Sequence, residues 1–390
     1  MITMSNGERN AKLESIQNIL IDKQMDACII SSSVNQFWLC GFIFDGYIYI
    51  QPKRPAILFV KRPFNLKDDR IVFLRKQEQI PELLQKMNNP LPNRLMMETD
   101  SLSYNATIRL QKALKIDVTY NVSTDLRILR MIKTSEELVQ IKKSAEIHSK
   151  VYKKIPSLYK KGMTDLELQI EIEREMRLHG SIGIFRSFGE NMDIFMGSIL
   201  AGDNAQAASP FDYALGGEGI SPILPLGANG SILKSGNTIM IDMAGNYRPY
   251  MDDMSRTFVI EQAPDIAYFA HNISINILNR IMGFAKPGTS CSDIYNTAIE
   301  IVKENNLESY FMGTNQQAKF IGHGVGLEIN EPPVFTSRSK ETLEAGMTFA
   351  IEPKFVLPGI GAVGIENTYI VNENGIENIT LCEEELIILK

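Results

Sequence analysis

The first third of the chain alternates between helical and strand-like spacing of its apolar residues. Apolar residues recur at helical spacing over 13–20, and further helices are predicted over 81–87 and 105–114. Short apolar runs with strand composition lie between these helices, at 27–30, 47–50, 56–60 and 71–74. Helices and strands that alternate in this way predict an α/β domain, which ends near Val122.

A helix start then marks the boundary to a second domain. Thr134 and Glu137 stand three residues apart at the head of an apolar stripe. This is the pattern of a capping box, in which the two side chains satisfy the first free amides of a helix. We therefore predict two domains, an accessory domain over residues 1–125 and a second domain over residues 133–390.

Helices and two β-hairpins are predicted in the second domain. Helices are expected over 164–180 and 290–305. Between them, one strand-like run ends at Asp242 and another begins at Asp253, with a Gly-Asn-Tyr-Arg-Pro turn between the two. If this hairpin folds symmetrically about its turn, Asp242 and Asp253 face each other across the two strands.

The downstream hairpin repeats the arrangement with glutamates. Glu352 and Glu366 flank a Pro-Gly-Ile-Gly turn, and symmetry about Gly359 places them opposite each other. Side chains that are opposite across a strand pair have Cβ atoms roughly 5 Å apart, and like charges there are destabilising. Because neighbouring carboxylates raise one another's pKa, four of them in one place can all stay ionised only beside compensating cations.

A histidine completes a candidate metal site. His323 lies in a Gly-His-Gly-Val-Gly run, where small neighbours leave the imidazole approachable. Carboxylates with one imidazole suit Mn²⁺, Fe²⁺, Co²⁺ or Zn²⁺, and bridging carboxylates indicate two ions roughly 3.5 to 4 Å apart. The sequence therefore predicts two divalent metal ions, with Mn²⁺ expected first and Co²⁺, Zn²⁺ or Fe²⁺ as alternatives, bound by Asp242, Asp253, His323, Glu352 and Glu366.

The residues around these positions resemble a known family. The order and spacing of Asp242, the Ser-Arg-Thr run after Asp253, the glycines around His323, the Ile-Glu-Pro at Glu352 and the Gly-Ile-Glu at Glu366 are similar to those of methionine aminopeptidase, proline aminopeptidase, prolidase and creatinase. The resemblance implies an α+β pita-bread catalytic domain, in which a curved antiparallel sheet is backed by helices. It also implies a creatinase/prolidase-like α/β N-terminal domain and a homodimer.

The resemblance assigns a role to each ligand. Asp242 would bind one metal ion, His323 and Glu352 the other, and Asp253 and Glu366 would bridge the two. A metal-bridging hydroxide would cleave a C–N amide bond, with Glu352 as the catalytic proton carrier. The implied activity is that of an Xaa-Pro dipeptidase or an aminopeptidase P-like enzyme that acts on small peptides.

Two expected histidines are missing from this pattern. The histidine seven positions after His323 is replaced by Asn330, and another after the Gly-Asp-Asn signature is replaced around Ser209 and Phe211. An asparagine can donate a hydrogen bond to a tetrahedral intermediate, although it cannot exchange a proton near neutral pH. Asn330 is therefore predicted as a second catalytic residue beside Glu352.

Two further departures lie in the second hairpin. The arginine expected two residues before Glu366 is Gly364, and the glycine expected after the Glu-Pro pair is Lys354. These changes keep two alternatives open. The same metal cage could act on a non-peptide small molecule, as an amidine or osmolyte hydrolase or lyase. The chain could also be a non-catalytic binding protein of this fold, a hypothesis that predicts loss of ligands, none of which is lost in the sequence.

Composition excludes other classes of function. The formal net charge of −6 provides no basic field for nucleic acid, and no apolar run is long enough for a membrane span. The polar first residues lack the apolar segment of a signal peptide, and the four scattered cysteines suit a reducing compartment. We therefore expect a cytoplasmic protein with neither a nucleic-acid nor a membrane partner. The remaining histidines, His148, His179 and His271, lie in helix-like segments and are predicted to be structural.

Overall fold

Two units make up the chain in the computed structural model, Met1–Arg130 and Met131–Lys390. The structure describes residues 5–184, 186–189 and 195–389. The division between the units falls in the short interval that separates the two predicted domains, 126–132.

A six-stranded mixed sheet forms the centre of the first unit, in the order β4-β3-β2-β1-β5-β6. Its strands are β1 (Ala27–Ile30), β2 (Asp45–Ile50), β3 (Ile57–Arg62), β4 (Ile71–Phe73), β5 (Leu95–Met97) and β6 (Thr119–Asn121). The helices are α1 (Asn6–Asp22), α2 (Ser33–Cys40), α3 (Ile80–Lys86), α4 (Tyr104–Leu114) and α5 (Ser123–Met131). The predicted alternation of helices and strands is thus confirmed, and the sequence analysis missed α2, α5, β5 and β6.

Packing explains why short strands with continuous apolar sequences form in this unit. All four residues of β1 are buried, and Ala27 and Ile29 share one apolar cluster with Leu84 of α3 and Leu110 of α4. Because such a strand is buried along its whole length, its sequence is an unbroken run of apolar residues rather than an alternation of apolar and polar residues.

The described residues of the second unit form three sheets and several helices. Its helices are α6 (Ser135–Tyr152), α7 (Ile155–Leu158), α8 (Asp165–Leu178), α9 (Asp265–Met282) and α10 (Cys291–Glu304). The strands are β7 (Gly197–Ala201), β8 (Thr238–Gly245), β9 (Asp252–Ile260), β10 (Gly322–Gly324), β11 (Glu331–Val334), β12 (Thr348–Ile351), β13 (Lys354–Leu357), β14 (Gly361–Gly364), β15 (Asn367–Asn372), β16 (Gly375–Asn378) and β17 (Ile387–Leu389).

Antiparallel pairing dominates the sheets of the second unit. Their strand orders are β11-β10-β12-β15-β16, β17-β9-β8-β7 and β13-β14, and among the described residues the pairing of β17 with β9 is the parallel exception. Helices α9 and α10 share an apolar cluster with β12 to β15, and α6 and α8 share another with β7 to β9. Antiparallel sheets backed by helices agree with the expected architecture.

Side-chain caps fix where the helices of this unit begin. Thr134 accepts a hydrogen bond from Glu137 N at 3.3 Å, and the Glu137 carboxylate accepts one from Thr134 N at 2.9 Å. The predicted capping box is thus confirmed, and the same reciprocal box, which was not predicted, forms between Thr164 and Glu167. None of the described helices is both long and apolar enough to cross a membrane.

Candidate metal centre

Strands of different sheets bring the five predicted ligands together. Asp242 lies in β8, Asp253 in β9 and His323 in β10, while Glu352 directly follows β12 and Glu366 lies between β14 and β15. Their side chains form two groups of potential metal ligands, Asp253–His323–Glu366 and Asp242–Glu352–Glu366. Within each group, one oxygen or nitrogen atom per residue lies within 4.8 Å of the others. The five residues therefore occupy one site, in which Glu366 belongs to both groups.

The register of the first hairpin differs from the symmetric prediction. Asp242 pairs with Ser255, and Asp253 pairs with Ala244, so the two aspartates are offset by two residues instead of facing each other. They still share a face of the sheet, because side chains in a strand alternate with period two. Gly245 forms the last pair of this register before the turn. It pairs with Asp252, and a Cβ atom on Gly245 would lie only 1.9 Å from Asp252 Oδ1, so a glycine is required opposite that carboxylate.

The second hairpin keeps the predicted register. The strand pairs on either side of Glu352 and Glu366 share one alignment, which places these two glutamates opposite each other. Their backbones bond to other segments. Glu352 N donates to Ile321 O at 2.8 Å, and Glu366 N donates to Ser255 O at 3.1 Å. The glutamates therefore interrupt the pairing of the hairpin and connect it to its neighbours.

His323 presents an unprotonated nitrogen to the carboxylates. Burial lowers the pKa of His323, so the imidazole is neutral. Its Nδ1 donates to Gly324 O at 3.2 Å, which leaves the lone pair on Nε2. Nε2 lies 3.5 Å from Glu352 Oε1 and 4.0 Å from Asp253 Oδ2. A cation bound between these three acceptor atoms would satisfy the lone pairs of all three.

Burial and mutual repulsion raise the pKa of three carboxyl groups. Burial and then the neighbouring Glu366 hold the pKa of Asp253 well above its usual range. Burial raises the pKa of Glu366 to about 8, although Lys354 opposes the shift, and burial likewise raises that of Glu352. Negative charge at this site is therefore unfavourable until cations compensate it.

One oxygen of Glu366 lacks a partner. Glu366 Oε2 accepts hydrogen bonds from Ser255 Oγ at 2.7 Å and from Lys354 Nζ at 3.4 Å. Glu366 Oε1 is buried and has no hydrogen-bond partner in the described part of the chain. A buried oxygen of this kind is costly unless something binds it. The donor set and this orphaned atom fit a divalent metal ion beside Asp253 and His323.

Lys354 reaches into the second group of ligands. Its Nζ lies 2.8 Å from Asp242 Oδ2, 2.5 Å from Glu352 Oε2 and 3.4 Å from Glu366 Oε2. Burial acts to lower the pKa of Lys354, but attraction to these carboxylates outweighs it and raises the pKa well above its usual value. The sequence analysis treated this residue as a lost glycine. Its spacing of two from Glu352 was a usable signal, because residues two apart in a strand share a face.

Buried polar residues around the site hold the strands in place. The Arg256 guanidinium donates to Glu366 O and to Asn367 Oδ1, each at 2.8 Å. The Thr368 hydroxyl accepts from Asp253 N and donates to Asp253 O, also at 2.8 Å. These bonds tie β9 to the segment that carries Glu366. They restrict the backbone motion of two of the five predicted ligands.

Asn330 makes a contact that the sequence does not reveal. Its Oδ1 accepts a hydrogen bond from Phe188 N, and its Nδ2 donates one to Phe188 O, both at 2.7 Å. The amide therefore mimics a strand partner for a segment 142 residues away. A catalytic role for Asn330 stays a prediction.

A cavity of about 330 Å³ lies near the candidate centre. One wall is the 205–216 segment, which carries Ser209 and Phe211, and the other is the 313–320 segment. Phe320 lines the cavity, and its ring centroid lies 6.3 Å from that of His323. The position where the family pattern expects a histidine is thus part of the cavity wall.

The other histidines lie outside both ligand groups. His148 is buried, with Nδ1 2.8 Å from Asp252 Oδ2. His271 Nε2 donates to Glu384 O at 2.6 Å, and His179 lies at the end of α8. These contacts agree with their predicted structural roles. The four cysteines are free thiols.

Comparisons with known proteins agree with this architecture. Residues 139–373 match the profile of Metallopeptidase family M24, and residues 12–132 match that of the Creatinase/Prolidase N-terminal domain. The chain is 25% identical to the Xaa-Pro dipeptidase of Pyrococcus furiosus over 383 residues, which are 96% of this chain and 99% of that protein. It is 27% identical over 391 residues to an uncharacterized peptidase of Staphylococcus epidermidis, with coverage of 96% and 99%.

Solved structures share the fold of the whole chain. The prolidase from Pyrococcus horikoshii OT3 superposes with a TM-score of 0.79 at 24% identity, covering 97% of this chain and 100% of that one. The Xaa-Pro dipeptidase from Bacillus anthracis gives 0.80 at 24% identity, with coverage of 98% and 100%. The predicted fold class, an α/β domain followed by a pita-bread domain, is thus confirmed. The chain belongs to metallopeptidase family M24 and is a metal-dependent peptidase with a creatinase/prolidase N-terminal domain.

Proposed function

We propose that this peptidase hydrolyses the bond that precedes proline in Xaa-Pro dipeptides. The proposal rests on one observation. His323 Nε2, which carries a lone pair, lies within 4.0 Å of buried oxygens of Asp253 and Glu352, next to a cavity of about 330 Å³. Relatives named as Xaa-Pro dipeptidases support the choice of substrate. The cavity is at the small end of the range for ligand sites, which favours a short peptide.

The residues that would hold the metal ion are Asp253, His323 and Glu366. Mn²⁺ is the proposed metal, because oxygen ligands with one imidazole suit it. A bound divalent ion would polarise the scissile carbonyl and make water a stronger nucleophile. We assign proton transfer to Glu352, whose Oε1 lies 3.5 Å from His323 Nε2 and whose Oε2 is held by Lys354. Oε1 would take the proton of the attacking water and deliver it to the leaving nitrogen.

Aromatic rings in the cavity provide a surface for proline. Phe211 and Tyr213 line it with their ring centroids 6.2 Å apart, and Phe320 contributes a third ring. Flat apolar rings suit the rigid pyrrolidine ring of proline. Asn330 would act as a positioning residue, since its amide holds the backbone of Phe188.

The two-ion form of this reaction needs Asp242 as a metal ligand. Asp242 is the most accessible of the four carboxylates, with 30% of its side chain exposed, and it forms an ion pair with Lys354. A homodimer and a cytoplasmic location remain part of the proposal on the strength of the family resemblance and the composition.

Release of proline tests this function. Protein loaded with Mn²⁺ is incubated with Leu-Pro and with the matched dipeptide Leu-Ala, and free amino acids are measured by mass spectrometry. We expect cleavage of Leu-Pro in preference to Leu-Ala, its loss on chelation and its return with Mn²⁺. Metal-loaded protein that cleaves no Xaa-Pro peptide would contradict the proposal and favour the alternative of a non-peptide substrate.

A variant of the cavity tests the assigned proline surface. Removing the ring in Phe211→Ala should raise KM for Leu-Pro about 10-fold or more, because a lost apolar contact of about 1 to 3 kcal/mol weakens binding by that order. Metal content should not change. An unchanged KM would exclude Phe211 from the substrate site.

A further inference from the structure

The lysine in the candidate centre contacts one complete group of ligands. Lys354 Nζ lies within hydrogen-bonding distance of one oxygen each from Asp242, Glu352 and Glu366. These three residues are the second of the two groups that could hold a metal ion. The lysine side chain is fully buried, so the ammonium has exchanged water for these carboxylates.

The space inside this group accommodates one cation. Its three ligand atoms lie within 4.8 Å of one another. Metal to oxygen bonds of about 2.0 to 2.2 Å would place an ion in the middle of the group. The ammonium lies 2.8 Å from Asp242 Oδ2 and 2.5 Å from Glu352 Oε2, so it already fills the position between these oxygens.

The other group remains suited to a metal ion. No lysine or arginine within the described ranges forms an ion pair with Asp253, and its nearest basic neighbour there is the neutral imidazole of His323. The His323 Nε2 lone pair and the orphaned Glu366 Oε1 both need a positive partner. Glu366 can serve both cations, because its Oε2 contacts the ammonium while its Oε1 is unused.

We infer that Lys354 takes the place of one of the two expected metal ions, so that the chain binds a single divalent ion through Asp253, His323 and Glu366. The inference rests on the proposed function only in treating this site as a metal centre. One divalent ion and one ammonium bring the four carboxylates close to neutrality. Unlike an ion, the ammonium is tethered to β13 and cannot be removed by a chelator, so Asp242 keeps its partner in the metal-free protein.

The number of bound ions tests this inference. Full-length protein is stripped with EDTA and titrated with Mn²⁺ by calorimetry, and the metal content of the reloaded protein is measured by mass spectrometry. We expect one ion per chain in the wild type. Lys354→Ala vacates the Asp242 group and should bind two ions per chain, whereas the control Lys142→Ala, which removes an exposed lysine paired with Glu377, should bind one.

Two ions per wild-type chain, or none, would overturn the inference, and so would one ion in a folded Lys354→Ala variant. Circular dichroism and thermal unfolding establish whether that variant folds, and the wild-type count decides the matter if it does not. These outcomes can be distinguished from the outcomes that test the proposed function. Two ions with proline release would contradict only this inference, and one ion without cleavage would contradict only the substrate.

Discussion

Lys354 and Gly364 are cross-strand partners in the β13–β14 hairpin. A Cβ atom on Gly364 would lie 2.9 Å from Lys354 Cα and 3.3 Å from Lys354 Cγ, so the missing side chain makes room for the lysine. These are the two hairpin positions at which the sequence departs from the family pattern, with lysine in place of glycine and glycine in place of arginine. The two departures are therefore structurally linked, because the side chain that Gly364 lacks would crowd Lys354.

Gly364 should tolerate no side chain. Its φ of +145° strains any other residue, and the new Cβ would lie 2.4 Å from Pro353 O. We expect Gly364→Ala to lower the free energy of unfolding in urea by about 2 to 4 kcal/mol, from backbone strain and overpacking together. The control Gly162→Ala also has positive φ, +89°, but meets nothing within 4 Å, so it should cost only the backbone strain of about 1 to 2 kcal/mol. Equal losses in the two variants would show that the packing around Gly364 is not as described.

Breaking the buried ion pair of Lys133 and Glu331 should destabilise the protein more than breaking an exposed pair. Their atoms Nζ and Oε2 lie 3.0 Å apart, with each side chain 1% exposed. Lys133→Met leaves the Glu331 charge buried, and we expect the free energy of unfolding to fall by about 3 to 5 kcal/mol. The matched variant Lys142→Met breaks an exposed pair with Glu377 and should cost less than about 1 kcal/mol. Similar urea midpoints for the two variants would contradict this difference.

His271 should make stability depend on pH. Burial lowers the pKa of His271 from 6.5 to about 4, so the folded protein keeps the imidazole neutral over a range in which the unfolded chain binds a proton. Stability is therefore fully present above pH 6.5 and falls as the pH drops towards 4, by about 3 kcal/mol in total. His271→Gln should flatten this part of the pH profile of unfolding, and the control His179→Gln should not. If the free energy of unfolding of His271→Gln changes with pH as steeply as that of the wild type, the pH dependence arises from other groups.

Removing a charge at Asp253 should have opposite effects with and without metal. Burial and Glu366 disfavour the ionised Asp253, so Asp253→Asn should melt at a higher temperature than the wild type when both are stripped of metal. With Mn²⁺ at about 100 times its dissociation constant, the wild type should gain about 2.7 kcal/mol, and the variant should gain little. The exposed control Asp69→Asn should follow the wild type in both conditions. A metal-free Asp253→Asn protein that melts below the wild type would contradict the repulsion argued here.

The sequence was sufficient to predict that these five residues come together, because the pattern around each of them is local. A carboxylate at a strand end beside a turn can be recognised in a short stretch, and four of them together with one histidine at the family spacing indicate a site. The register predicted for the first hairpin was wrong by two residues, because symmetry about the turn sequence does not determine which residues of β8 and β9 pair. The contact between Asn330 and Phe188 joins distant segments, which no short pattern connects.

Lys354 shows a different limit of sequence analysis. Comparison with the family pattern showed only that position 354 lacks the expected glycine. Whether the new side chain points into the site depends on the pleat of β13 and on the space opposite it at Gly364. Both properties come from the packed hairpin.

Anomalous diffraction at the manganese edge tests the metal centre most directly. Crystals of the wild-type protein soaked in Mn²⁺ should show one strong peak at about 2.0 to 2.2 Å from His323 Nε2 and from oxygens of Asp253 and Glu366, with Lys354 Nζ still bound to Asp242. The absence of a peak at His323 from crystals with a fully ordered site would contradict the account of these residues as a metal centre.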